Sequence, residues 1–339
     1  MHDAPADLAR LHLNESATAP AACVRAIEAE LGSTNLYPDA RYEALTAAIA
    51  RRWAVGQGNV AVGNGADELL LICALTLGDL SRPGVVTEGT FTGHRFALEV
   101  ARRGVRSVPL VGGRIDASAF ARALPGAGLA VLCTPHNPSG VALGQDELDE
   151  ITLAAAAADV PLVVDEAYME FAPAGTASAA SIAPDGRVVV LRTFSKAYGL
   201  AGVRVGYAIG SQQTVQALAN AQRVLPFRVN RLGQVAALAA LEDRDHLKRV
   251  REDVASRRTW FTAALRERGF SVPDSAANFV AVRVTDPTAT RERLFRDFGI
   301  AVRDTTDMGY MGHVRISLGT RDVLERILVA LDHLNGDVA

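Results

Sequence analysis

The segment LRTFSKAYGLAGVRVGY, residues 191 to 207, ends a β-rich run in Thr193-Phe194-Ser195-Lys196 and sets Arg204 eight residues beyond the lysine. Alone, a lysine after a strand is an ordinary solvated charge. Two other apolar runs, however, finish on side chains of complementary chemistry: VVDEAY on Asp165, and LAVLCTPHNPSG on Asn137. Strands of an open α/β sheet deliver their C-terminal ends to one edge, and ligands bind there. GNGADELL, residues 63 to 70, starts a helix directly after the run VAVG. Free backbone N–H groups and the positive end of a helix dipole thus face that edge, as an anion requires. The segment is not GxGxxG and no Walker lysine follows it, which weakens any reading as a nucleotide-dependent oxidoreductase.

An amine, a strand-end carboxylate, an amide and an anion cradle together meet the needs of pyridoxal 5'-phosphate (PLP). Lysine forms a Schiff base with its aldehyde, and an acid keeps its pyridine nitrogen protonated so that the ring withdraws electrons. The chemistry expected is therefore that of Lys196 with PLP on the amino group of a small amino acid or amine.

The elements that must position these residues follow from periodicity. From about Asn59 to Gly210 short apolar runs (VAVG, VVTEG, RSVPL, LAVLCT, PLVVDEAY, RVVVLRTFS, RVGYAIG) alternate with Ala/Leu-rich helical stretches. That alternation predicts an α/β fold, a mainly parallel mixed sheet covered by helices. A helical pattern from about Asn230 to Leu265 reads as one long bridge to a smaller α+β unit. There NFVAVRV, IAVRD and HVRISLG are expected strands, and 289 to 298 and 320 to 334 expected helices. The organisation expected is residues 1–30 as an N-terminal segment packing with the small domain, 31–235 as the large PLP-binding domain, and 236–339 as the small C-terminal domain.

Composition excludes other classes. A net charge of −3 lacks the dense basic surface that nucleic acid or anionic membrane demands. Cys23, Cys73 and Cys133 are scattered in apolar surroundings, without the spacing of a disulfide framework or a metal site. The first residues show no basic-then-apolar signal pattern, and the apolar run at 152 to 164 is broken by Asp159 and Pro161. A cytoplasmic, reduced protein is expected.

With these residues in view, the chain resembles a fold-type-I PLP enzyme of the aspartate aminotransferase superfamily, and within it the histidinol-phosphate aminotransferases. The resemblance runs in order over nearly the whole chain: LNES (13–16), YPD (37–39), GNGADE (63–68), PHNPSG (135–140), DEAY (165–168), SKAYGLAGVRVGY (195–207), NF (278–279), VRD (302–304) and VRISLGT (314–320). It implies that Lys196 carries the cofactor and shuttles the substrate proton, with Asp165 on the pyridine nitrogen and Asn137 and Tyr168 on the phenolic oxygen. Ser195, Arg204 and the helix start Gly65, Ala66 and Asp67 would hold the phosphate. Tyr37 would reach the cofactor phosphate of a neighbouring subunit, making a homodimer with shared active sites. Arg315 would clamp the substrate carboxylate, Arg303 would read a substrate phosphate, and Asn14 would lie at the substrate.

Bland alternatives stand beside these. Arg315 and Arg303 sit on strands and either face the site or face solvent; Tyr37 is either a shared residue or a turn residue before Pro38. His94, in EGTFTGHRF, aligns where the family stacks a ring on the cofactor, and either stacks or acts as an acid or base. VLPFRVNR (224–231) carries Phe227 where a phosphate-binding Tyr is usual and adds Arg228 and Arg231, which either bind an acidic substrate or decorate a helix start.

The function expected is an aminotransferase that moves an amino group from a histidinol-phosphate-like amine or an aromatic or basic amino acid to a 2-oxo acid. The rival keeps PLP but breaks another bond, by decarboxylation, β/γ-replacement or oxidation, since function does not follow from fold. A PLP-sensing regulator would need a DNA-binding module, and too little chain precedes LNES to house one.

Overall fold

The computed structural model describes residues 8–336; residues 1–7 of the expected N-terminal segment and residues 337–339 lie outside the described residues. Its centre is a seven-stranded sheet in the order Val60–Gly63, Gly206–Ile209, Val188–Thr193, Leu162–Asp165, Leu129–Cys133, Gly84–Thr87, Val105–Val108. Neighbours pair in parallel except Gly206–Ile209, which runs antiparallel to both its partners. Each strand overlaps one of the seven apolar runs. Alternate residues enter two cores: Val188 and Val190 pack on one face, Val189 and Leu191 on the other. Burial on both faces is why these runs are continuously apolar rather than alternating.

The second unit is a three-stranded antiparallel sheet, Phe279–Arg283, His313–Ser317 and Arg303–Asp304, with a core of its own that includes Phe261, Val280 and Ile316. Tyr168, Phe171 and Ala197 belong to this second core although they follow strands of the large sheet. The residues around Lys196 therefore lie on the seam between two cores.

Two expectations need correction. The single helix expected from Asn230 to Leu265 is two, Arg231–Glu242 and Arg244–Glu267. Asp243 leaves helical geometry (ψ 69°), and its side chain accepts a hydrogen bond from the His246 N–H, capping the second helix. IAVRD is likewise two short strands: Ile300–Ala301 pairs with Ala9–Arg10, and Arg303–Asp304 with His313–Ser317. In the N-terminal segment Ala9–Arg10 thus meets the small unit, while the helix Ala21–Glu30 lies against Arg231–Glu242 and buries Cys23 in the large core.

Candidate active site

Register brings three chain segments to one sheet edge. Asp165 closes its strand opposite Cys133 and Leu191; Thr193 closes the next, opposite Gly206, which also pairs with Gly63. The loops beyond these ends carry Asn137, Ser195, Lys196 and the start of the helix Gly65–Thr76. The cradle is built by close backbone approach. A Cβ at Gly206 would meet the Ala66 nitrogen at 2.5 Å, and one at Gly65, where φ is +77°, would meet Arg204 Nη2 at 2.6 Å. Only glycine tolerates both the positive φ and the crowding at position 65.

One cavity is lined by Ala66, Asp67, Asn137, Asp165, Tyr168, Ser195, Lys196 and Arg204, together with Phe91, Ala167 and Thr193, which the motifs did not single out. Arg204 Nη1 donates to Ser195 Oγ (3.2 Å), and its Nη2 to Asp67 Oδ2 (2.8 Å). Tyr168 Oη accepts from Asn14 Nδ2 (3.0 Å) and Asn137 Nδ2 (3.4 Å). Arg315 is buried, with Nη1 on Asn137 Oδ1 (2.6 Å) and Nη2 on the His12 carbonyl (2.7 Å). That removes the reading of Arg315 as a solvent-facing charge. Asn14 is buried as well, tied through its N–H and Oδ1 to Ser317 and through its carbonyl to Asn278 Nδ2.

Electrostatics follow from this crowding. Burial, with the Arg315 charge next in effect, lowers the Lys196 ammonium to about 8. Burial pushes the Tyr168 phenol up to about 12, so it stays a hydroxyl. Arg315 is lowered to about 10, mainly by burial, and remains a cation at neutral pH.

Four expected residues lie elsewhere. His94 does not line the cavity: it is buried behind Asp165, with Nε2 3.0 Å from Asp165 Oδ2 and Nδ1 3.2 Å from Thr90 Oγ1. A hydrogen on Nε2 satisfies both contacts, because the carboxylate accepts it and the threonine hydroxyl donates to Nδ1. The ring from this segment that lines the cavity is Phe91, three residues earlier and edge-on to His94. Arg228 turns away from the cavity, donating from Nε to the Val62 carbonyl (2.9 Å) with its guanidinium over the Tyr42 ring. Tyr37 is 77% exposed and stacked on Phe227. Arg303, directly opposite Arg315 in the ladder, is ion-paired with Asp307.

The donor set fits PLP. A lysine amine can meet an aldehyde, a buried carboxylate a ring nitrogen, an amide and a phenol a ring oxygen, and the glycine-cleared cradle with Arg204 and Ser195 a phosphate.

Comparison with known proteins agrees. The family model for aminotransferase class I and II matches residues 9–331. The chain belongs to that family. It is 34% identical over 337 residues to a histidinol-phosphate aminotransferase of Symbiobacterium thermophilum (98% of this chain, 91% of the relative). It is 36% identical to one of Halorubrum lacusprofundi (98% and 91%). A solved structure of histidinol-phosphate aminotransferase from Sinorhizobium meliloti in complex with pyridoxal 5'-phosphate superposes with a TM-score of 0.88 at 32% identity, covering 98% of this chain and 92% of that one. The protein is a PLP-dependent aminotransferase that takes an amino group from a donor and passes it to a 2-oxo acid. Among the described residues no helix is long and apolar enough to cross a membrane.

Proposed function

We propose that this aminotransferase acts on histidinol phosphate, or on an aromatic or basic amino acid in its place, with a 2-oxo acid as acceptor. The observation that carries the reading is the pair Arg315 and Arg303, opposite each other in one ladder, with Arg315 bonded to Asn137, which lines the Lys196 cavity. One guanidinium at Asn137 suits the carboxylate of an amino or 2-oxo acid. A second, held by the half-exposed Asp307, suits a distal phosphate, which can displace that carboxylate because it carries more charge and more acceptors. The relatives' names point the same way.

When bound, PLP supplies an electron-withdrawing ring that acidifies the bond to the substrate α-carbon. Lys196 Nζ, its ammonium lowered to about 8 by burial and by Arg315, would anchor the cofactor and, once free of it, would move the substrate proton. Asp165, held by His94 and by the Ala167 N–H (3.1 Å), would pair with the ring nitrogen. Asn137 and Tyr168 would hold the ring oxygen, Phe91 would line the side of the cavity that takes the ring, and Arg204, Ser195 and the N–H groups of Gly65, Ala66 and Asp67 would hold the phosphate.

The unit that works is a homodimer. Tyr37 with Phe227, and the exposed Leu36, Val224 and Leu225 beside them, form an apolar surface that a second copy would cover, bringing Tyr37 to its neighbour's cofactor phosphate. Residues 31–235 and 236–339 are the two working domains, and the protein acts in the cytoplasm. Spectroscopic titration of the holoenzyme with histidinol phosphate and with aromatic, basic and acidic amino acids tests the substrate assignment. Histidinol phosphate is expected to convert the bound cofactor at the lowest concentration; conversion by acidic amino acids alone would reject it.

A further inference from the structure

The first turn of the cradle helix Gly65–Thr76 carries two carboxylates, Asp67 and Glu68, where the helix should welcome an anion. Asp67 is answered by Arg204, which itself belongs to the cavity. Glu68 cannot swing away: Oε2 accepts the Asn64 backbone N–H (2.7 Å) and Oε1 accepts Gln222 Nε2 (2.9 Å). Its cationic neighbour is Arg228, Nε 3.7 Å from Oε1, and the two side chains are only 12% and 13% exposed, so water screens them weakly. Arg228 is fixed in turn by the Val62 carbonyl (2.9 Å) and by the face of Tyr42 (4.6 Å), whose hydroxyl donates to the Pro226 carbonyl (2.9 Å).

We infer that Arg228 is a positioning residue for the cofactor phosphate: it touches neither cofactor nor substrate, but neutralises Glu68 so that a dianion can settle on the cradle. The inference rests on the assignment of GNGADE as the phosphate cradle. With Arg228 present, Asp67 and Glu68 are each matched by one arginine, and the helix N-terminus faces the phosphate without a net opposing charge. Without it, Glu68 stays pinned by Asn64 and Gln222, and its charge stands unanswered in the first turn of the cradle helix.

The test is a titration of full-length protein, freed of cofactor, with PLP and with pyridoxal, the same ring lacking phosphate, followed by absorbance. Arg228→Gln is expected to weaken PLP about tenfold and leave pyridoxal within about twofold. Adding Glu68→Gln is expected to restore PLP to within about threefold of the unaltered protein, because it removes the charge that Arg228 answered. A double variant as weak as Arg228→Gln, or parallel loss of pyridoxal, would make Arg228 a mere strut and overturn the inference. Should Arg228→Gln not fold, Glu68→Gln alone decides: PLP binding unchanged or tighter supports the inference, and a tenfold loss overturns it. If the unaltered protein binds PLP no tighter than pyridoxal, the cradle assignment itself fails, a result distinct from an Arg228→Gln that changes nothing.

Discussion

Lys196 is the residue whose behaviour should be most sensitive to its neighbours. Its amine attacks only when neutral, and burial with Arg315 lowers its ammonium to about 8. The rate of PLP attachment to cofactor-free protein should therefore rise with pH through about 8 and level off above it. Arg315→Gln removes the second cause of that shift and should move the midpoint upward, as a stopped-flow pH series would reveal; an unmoved midpoint would mean that burial alone sets it. His94 gives a second prediction. Its loss in His94→Ala leaves a buried carboxylate oxygen of Asp165 without its partner, worth roughly 1.5–3 kcal/mol for a hydrogen bond to a charged group. A fall of about 10- to 100-fold in kcat/KM is expected in steady-state assays, with the protein still folded. The sequence exposed Lys196, Asp165, Asn137, Ser195 and Arg204 because each ends a strand or follows one in a motif. It misplaced His94 because both His94 and Phe91 present rings, and only the turn that starts the helix Thr92–Val100 decides which one faces the cavity.

At the scale of elements, the cradle helix is held from behind as well as in front. Arg103 is buried beyond its C-terminus, with Nε on the Ala74 carbonyl (2.9 Å), Nη1 on the Asp79 carbonyl (2.8 Å) and Nη2 on the Leu77 carbonyl. A cation over the last carbonyls suits the negative end of the helix dipole. Arg103→Ala should cost about 3 kcal/mol, seen as a lower midpoint in chemical denaturation, since it strips partners from three carbonyls. A second support lies under the strand ends. Arg192, four residues before Lys196, pairs with Glu166, which directly follows Asp165, and with Glu170. Arg192→Met would leave two buried carboxylates unpaired and should destabilise by about 3–5 kcal/mol. The strands were readable because burial on both faces forces continuous apolar runs. The break at Asp243 was not, because Glu242-Asp243-Arg244 looks like any polar stretch of a helix until the cap is seen. The pairing of Ala9–Arg10 with Ile300–Ala301 was equally hidden, since two-residue strands leave no periodicity to read.

At the scale of the whole molecule, the two cores meet at the cavity, and the apolar surface around Tyr37 and Phe227 is where the proposed second copy would dock. If Tyr37 works in its neighbour's site, then mixing Lys196→Ala with Tyr37→Ala protein should recover up to about a quarter of the native sites, because half the dimers would be mixed and each would hold one complete site. No recovery after verified subunit exchange would place Tyr37 outside the neighbour's chemistry. Long-range organisation of this kind was visible in the sequence only through resemblance, as no local pattern says what an exposed tyrosine meets. The account turns on Lys196 as the covalent seat of PLP in an aminotransferase. Its most direct measurement is the visible absorption of the purified holoenzyme as histidinol phosphate and then a 2-oxo acid are added, in the native protein and in Lys196→Ala. The native band should bleach with the donor and return with the acceptor, while Lys196→Ala should show neither change; a Lys196→Ala protein that cycles at the native rate would contradict the account.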